Sequence, residues 1–142
     1  MLLEVAELAV DLMTPRGSQR VVDRTSFSLD EGESLGVVGE SGSGKTMTAL
    51  ALMGLTPEGA RVSGSMRFEG RELIGLSEEA MQQLRGDRIA MIFQEPMTAL
   101  NPLHKVGAQV AEPLVLHRLF GEPDEFPALE ADRTGDPRPL GR

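Results

Sequence analysis

The chain of 142 residues contains no cysteine, no tryptophan and no tyrosine, and its aromatic content is five phenylalanines. The missing thiols exclude disulfides and thiolate metal sites, which fits a reducing cytosol. Positive charge is also short: 14 basic against 22 acidic side chains leave a formal charge of −8. A protein that grips a nucleic-acid backbone needs a clustered positive field, and no such cluster stands in the sequence, so nucleic acid is not expected as a partner. No apolar run approaches the roughly 18 residues that a membrane span requires. If the protein works at a membrane, another polypeptide is expected to supply the span. The first ten residues lack a basic n-region and carry Glu4 and Glu7, unlike a secretory signal peptide. Within these exclusions the length is sufficient for a buried core and suggests one domain.

Residues 2–12, LLEVAELAVDL, and 21–29, VVDRTSFSL, read as strands joined by a turn around Pro15 and Gly17. SLGVVG at 34–39 is a short apolar run bounded by glycines, the pattern of a strand buried on both faces. Residues 46–55 are rich in Ala, Leu and Met and stop at Thr56-Pro57, so they read as a helix. A half-exposed strand is expected at 64–70. Ser77 should cap a helix over 78–85 with Glu78 and Glu79 in its first turn. RIAMIFQ at 88–94 reads as a second buried strand, and 106–118 as a helix that Pro113 should bend or break. The last 22 residues hold four of the nine prolines and no apolar period, the composition of a disordered tail. No internal repeat is present.

The glycines explain the most informative stretch. Gly39-Glu40-Ser41-Gly42-Ser43-Gly44-Lys45-Thr46 fits G-x-x-x-x-G-K-[ST] without a mismatch. Glycines let the backbone curl so that successive N–H groups can face phosphate oxygens. The helix that follows offers its own unpaired N–H groups and a partial positive charge to the same anion. Lys45 is expected to reach the β- and γ-phosphates and the Thr46 hydroxyl to ligate Mg²⁺. The bland alternative is a Gly/Ser turn that happens to precede a helix; the apolar run before the loop and the helical run after it argue for the phosphate site.

A second stretch, IAMIFQEPMTALNP at 89–102, ends an apolar run on Gln94. An Asp there would hold Mg²⁺ as in a Walker B strand, but an amide lacks the charge. Gln94 can instead orient water and touch the metal through its carbonyl oxygen. Together, VVGESGSGKTMTALALMGL and MIFQEPMTALNP resemble the nucleotide-binding subunits of ABC transporters, in the class of bacterial dipeptide, oligopeptide and nickel importers. The resemblance covers about residues 2–118. It implies an α/β fold, a P-loop NTPase (RecA-like) core with an antiparallel β subdomain near the N-terminus. It implies ATP and Mg²⁺ as cofactors, with residues 39–46 and Gln94 on the nucleotide and Thr46 and Gln94 on the metal. It also implies transmembrane permease subunits and a second ATP-binding subunit as partners, in a homo- or heterodimer, and a cytoplasmic place on the inner face of the cell membrane.

The departures from that family pattern carry equal weight. The family sets an aromatic residue early in the chain against adenine, whereas the first aromatic here is Phe27, close to the loop. No LSGGQ-type signature, no apolar strand ending in Asp-Glu and no switch histidine follow Gln94. The expectation is therefore a partial nucleotide-binding domain over 1–118 and a non-family tail over 119–142. It is a fragment that ends before the signature and Walker B motifs, shortened naturally or by a frameshift near Arg118. Phosphoryl transfer depends on positioning and charge stabilisation, so such a chain should bind ATP without hydrolysing it alone. Two other readings stay open: a nucleotide-binding module completed by another chain, and a non-functional remnant. The transported solute cannot be read from the sequence. Glu95 reads as a solvated loop acid ahead of a general base, His104 and His117 as surface or packing residues, and most of the eight methionines as core filler.

Overall fold

The computed structural model describes residues 1–94 and 99–116. It separates into two units, Met1–Met91 and a second beginning at Ile92, and each is described by itself.

The first unit is built on a four-stranded antiparallel sheet. β1 (Leu3–Thr14) and β2 (Gly17–Leu29) form a long hairpin, β3 (Arg61–Phe68) pairs with the other side of β1, and the two-residue β4 (Arg71–Glu72) completes the order β2-β1-β3-β4. The hairpin turns at Pro15-Arg16, where the Thr14 hydroxyl donates to the Gly17 carbonyl at 2.8 Å. Asp11 and Arg20 face each other across it and meet as a fork, with two N–H···O contacts of 3.0 and 3.2 Å.

β1 does not alternate cleanly. Leu3 and Val5 point to the core side, then Leu8, Val10 and Leu12 do, one residue out of phase. The slip is a bulge at Glu7, whose φ of 52° takes its N–H out of the ladder. Ser26 catches that N–H on its hydroxyl at 2.8 Å. On the opposite side Gly64 lies flat against the bulge; a Cβ there would stand 2.5 Å from the Glu7 carbonyl oxygen. The core cluster gathers Val5, Leu8, Val10, Val22 and Met66 of the sheet with Leu73. Ala51 and Met81 of the helices close it. Three methionines, Met53, Met66 and Met81, are buried as filler.

Two helices belong to this unit. α1 (Lys45–Leu52) places Met47, Ala51 and Leu52 against the core. It ends in a Schellman motif: Gly54, at φ 62°, donates to the Ala51 carbonyl, and Leu55 donates to the Leu50 carbonyl at 2.8 Å. α2 (Glu78–Leu84) starts as the sequence indicates, with the Ser77 hydroxyl accepting from the Ala80 N–H at 3.3 Å. In the second unit, α3 (Val106–Leu116) continues through Pro113, which has no N–H to offer the Gln109 carbonyl, and is not broken there. The side chain of Gln109 closes the preceding loop instead. It accepts from the Asn101 N–H at 2.7 Å and donates to the Asn101 and His104 carbonyls at 3.0 and 3.1 Å.

Two expected strands are absent. Residues 34–39 and 88–94 form no ladder; the nearest approach is one parallel bridge between Arg85 and Ile89. A strand exists through its neighbour, and no described strand runs beside either segment. Several of their apolar side chains consequently face outward, Val38 at 93% exposed and Ile92 at 98%, while Ile89 packs against the core. Of the expected α/β core, the described residues hold the glycine loop and α1 but no parallel sheet. The expected tail, 119–142, and His117 and Glu95 lie outside the described residues.

Candidate functional site

The loop of residues 39–46 joins the exposed segment 34–38 to α1. Its geometry follows from where a side chain cannot fit. Gly44 caps α1 at φ 92°, and a Cβ there would stand 2.4 Å from the Val21 carbonyl oxygen of β2. The loop therefore sits on the backbone of the sheet. Gly42 adopts φ 81°, and a Cβ on Gly39 would meet the Ser43 hydroxyl at 2.6 Å. The Ser43 N–H closes the turn on the Glu40 carbonyl at 3.2 Å.

Lys45, the first residue of α1, folds back over this turn. Its ammonium donates to the Gly39 carbonyl at 2.6 Å and the Glu40 carbonyl at 2.7 Å, and lies 3.4 Å from the Ser43 hydroxyl oxygen. Thr46 is exposed at the start of the helix. Thr48 reinforces the first turn: its N–H and its hydroxyl both donate to the Gly44 carbonyl, at 2.8 and 3.0 Å. No side chain caps the N-terminus of α1, and its first turn holds no acid. The orphan N–H groups of a helix start are thus left to solvent or to an anion, with the positive end of the helix dipole behind them.

The structure brings residues 39–46 into one turn around the Lys45 ammonium. Gln94 belongs to the second unit, where it is exposed in a bend. Phe27, the first aromatic, packs against the sheet core. Among the described residues no group of three or more His, Asp or Glu side chains gathers as a metal site. Thr46 is exposed, and its hydroxyl is a hard oxygen donor of the type that Mg²⁺ takes beside phosphate oxygens and water. Sequence reasoning missed the Val21 carbonyl, a backbone atom that no motif can signal, against which Gly44 is seated.

In the first unit a glycine loop opens α1 beside the antiparallel sheet. The sequence profile described as ABC transporter matches residues 22–134, and the chain belongs to that family. It is similar to the oligopeptide transport ATP-binding protein OppD of Escherichia coli (strain K12), with 49% identity over 125 residues, 88% of this chain and 37% of that one. It is similar also to OppD of Bacillus subtilis (strain 168), at 49% over 118 residues, 82% of this chain and 33% of that protein. The dipeptide transport ATP-binding protein DppD of Lactococcus lactis subsp. cremoris shows 47% identity over 116 residues, 81% of this chain and 33% of its own length. The chain thus spans about a third of the length of the curated relatives it matches. Among the described residues no helix is long and apolar enough to cross a membrane.

Proposed function

We propose that this chain is the phosphate-loop portion of an ATP-binding subunit of an importer for dipeptides or oligopeptides. The observation that carries the reading is the Lys45 ammonium held over the 39–46 turn at the uncapped start of α1. The loop would take the triphosphate tail of ATP, with Lys45 neutralising phosphate charge and the α1 N–H groups donating to phosphate oxygens. Thr46 and Gln94 would contribute oxygens to Mg²⁺, which supplies charge neutralisation on the phosphates when bound. The glycines at 39 and 44 keep the backbone clear, because side chains there would collide with Ser43 and Val21.

Hydrolysis is a separate matter. The 142 residues hold no LSGGQ-type segment and no apolar strand ending in Asp-Glu after Gln94. We therefore propose binding without turnover by this polypeptide alone, with permease subunits and a second ATP-binding subunit as partners on the inner face of the cell membrane. The proposed domain is a partial nucleotide-binding domain over 1–118, although the family profile runs on to residue 134, into the 119–142 segment. A second reading, a nucleotide-binding module completed by another chain, is favoured by the bare Leu35, Val37 and Val38, which are 47%, 57% and 93% exposed.

The test is titration of the purified chain with a fluorescent ATP analogue and Mg²⁺, alongside a phosphate-release assay. Saturable binding without phosphate release, and a loss of about tenfold or more in Lys45→Ala from the removed charge-assisted contacts, is the expected result. Equal affinity in a folded Lys45→Ala protein would overturn the phosphate-loop assignment.

A further inference from the structure

We infer that Arg85 is a positioning residue for the phosphate loop, acting through the far end of α1; this rests on the phosphate-loop reading above. Arg85 follows α2 and no sequence motif includes it. Its guanidinium is nevertheless the most committed side chain in the first unit. Its Nε–H donates to the Met53 carbonyl at 2.7 Å and an Nη2–H to the Gly54 carbonyl at 3.1 Å. The remaining edge of the fork meets the Glu78 carboxylate, at 2.6 and 3.2 Å. The side chain is 16% exposed, while Glu78 is open to solvent.

The geometry assigns a purpose to this convergence. α1 has eight residues, too few to hold helical form by itself in water. Its direction is set by what holds its two ends. At the loop end Gly44 rests on the Val21 carbonyl. At the other end the Schellman turn satisfies the Leu50 and Ala51 carbonyls and leaves those of Met53 and Gly54 pointing onward. Arg85 takes both. It places a cation at the negative end of the helix dipole, and Glu78 balances that charge where water still reaches. Gly54 is matched to this contact, since a Cβ there would stand 3.1 Å from Arg85 Nη2 and 3.3 Å from Met81 Cε.

The same residue begins the turn that leads toward Gln94. The Arg88 and Ile89 N–H groups both donate to the Leu84 carbonyl at 2.9 Å, and the Gly86 N–H donates to the Ile89 carbonyl at 2.9 Å. The fork therefore ties the end of the phosphate-loop helix to the first turn of the segment that carries Gln94 in sequence. Releasing it frees α1 to pivot about Gly44, and the N–H groups at its start lose their fixed aim. Because coupling is reciprocal, an anion bound at the start of α1 must also be felt at the Arg85 fork.

The experiment uses the full chain, a fluorescent ATP analogue with Mg²⁺, and three variants: Arg85→Met, Arg85→Lys and, as a core-stability control on β3, Met66→Ala. Arg85→Met should weaken binding about tenfold, within the ordinary range of coupling between sites. Arg85→Lys, which keeps the charge but loses the fork, should recover part of that loss. Met66→Ala should lower the melting temperature and leave the affinity of the folded protein within about twofold. In the unaltered chain the Arg85 Nε–H resonance should shift on saturation with the analogue. Unaltered affinity in Arg85→Met, an equal affinity loss in Met66→Ala, or a stationary Arg85 resonance would each overturn the proposal. Failure of the unaltered chain to bind would overturn the phosphate-loop reading and this proposal together. Binding that Lys45→Ala abolishes and Arg85→Met does not would overturn this proposal alone.

Discussion

Gly44 and Val21 are in contact through backbone alone: an added Cβ on the glycine would stand 2.4 Å from the Val21 carbonyl oxygen. The turn is thereby seated on the sheet at a point where no side chain is tolerated.

Gly44→Ala should cost about 2 kcal/mol or more, because a left-handed backbone is strained for alanine and the new methyl meets a main-chain atom that cannot swing aside. Urea unfolding of the two proteins measures the cost. The same variant should weaken binding of the fluorescent ATP analogue, since relief of the clash moves the loop away from β2.

Glu72 makes the sheet sensitive to acid. Burial alone would raise its carboxyl pKa. The Ser65 hydroxyl at 2.6 Å and the Met66 and Ile74 N–H groups at 2.8 and 3.3 Å prevail and hold it below the usual value, with Arg67 adding a weaker attraction. A lowered folded-state pKa gives stability that is complete above the ordinary glutamate value of about 4.3 and disappears as pH falls through the folded-state value. Urea midpoints followed from pH 6 downward should decline below about pH 4, and Glu72→Gln should flatten that decline while lowering the neutral-pH midpoint.

Met81→Ala should be among the costly core substitutions. Met81 is 4% exposed, joins α2 to the core and lies against Gly54. Loss of the thioether leaves a cavity that the sheet side cannot fill, and about 2–4 kcal/mol is expected for a methionine truncated in such a place. Thermal and urea unfolding provide the measurement.

Val38→Lys should improve solubility at almost no cost in stability. Val38 is 93% exposed in a segment with strand-like sequence and no ladder, the kind of apolar edge that recruits other chains. Light scattering against concentration should fall in the variant, with its unfolding midpoint changed by less than about 0.5 kcal/mol.

Much of the first unit was legible because its signals are local. The runs read as strands in β1 and β2, the turn at Pro15 and the serine at 77 each act within a few residues, whereas the Glu7 bulge was not read from the sequence. The turn of residues 39–46 was legible because glycine is needed at Gly44, where a left-handed backbone lies against the Val21 carbonyl. Residues 34–39 and 88–94 misled the reading for the opposite reason. Their apolar pattern describes a strand with neighbours, and a pattern cannot supply the neighbour. β4 was missed because two residues carry no period, and Arg85 because its partners at Met53 and Gly54 are main-chain carbonyls far away in sequence.

The curled Lys45 side chain has a selective consequence. Two peptide oxygens already engage its ammonium protons at 2.6 and 2.7 Å, so an arriving oxyanion competes with amide dipoles as well as with water. On the proposed reading a doubly charged terminal phosphoryl group, whose hydrogen bonds to an ammonium are charge-assisted on both sides, would compete better than chloride or a singly charged ester. Salts of weak acceptors should accordingly leave the Lys45 ammonium on the Gly39 and Glu40 carbonyls.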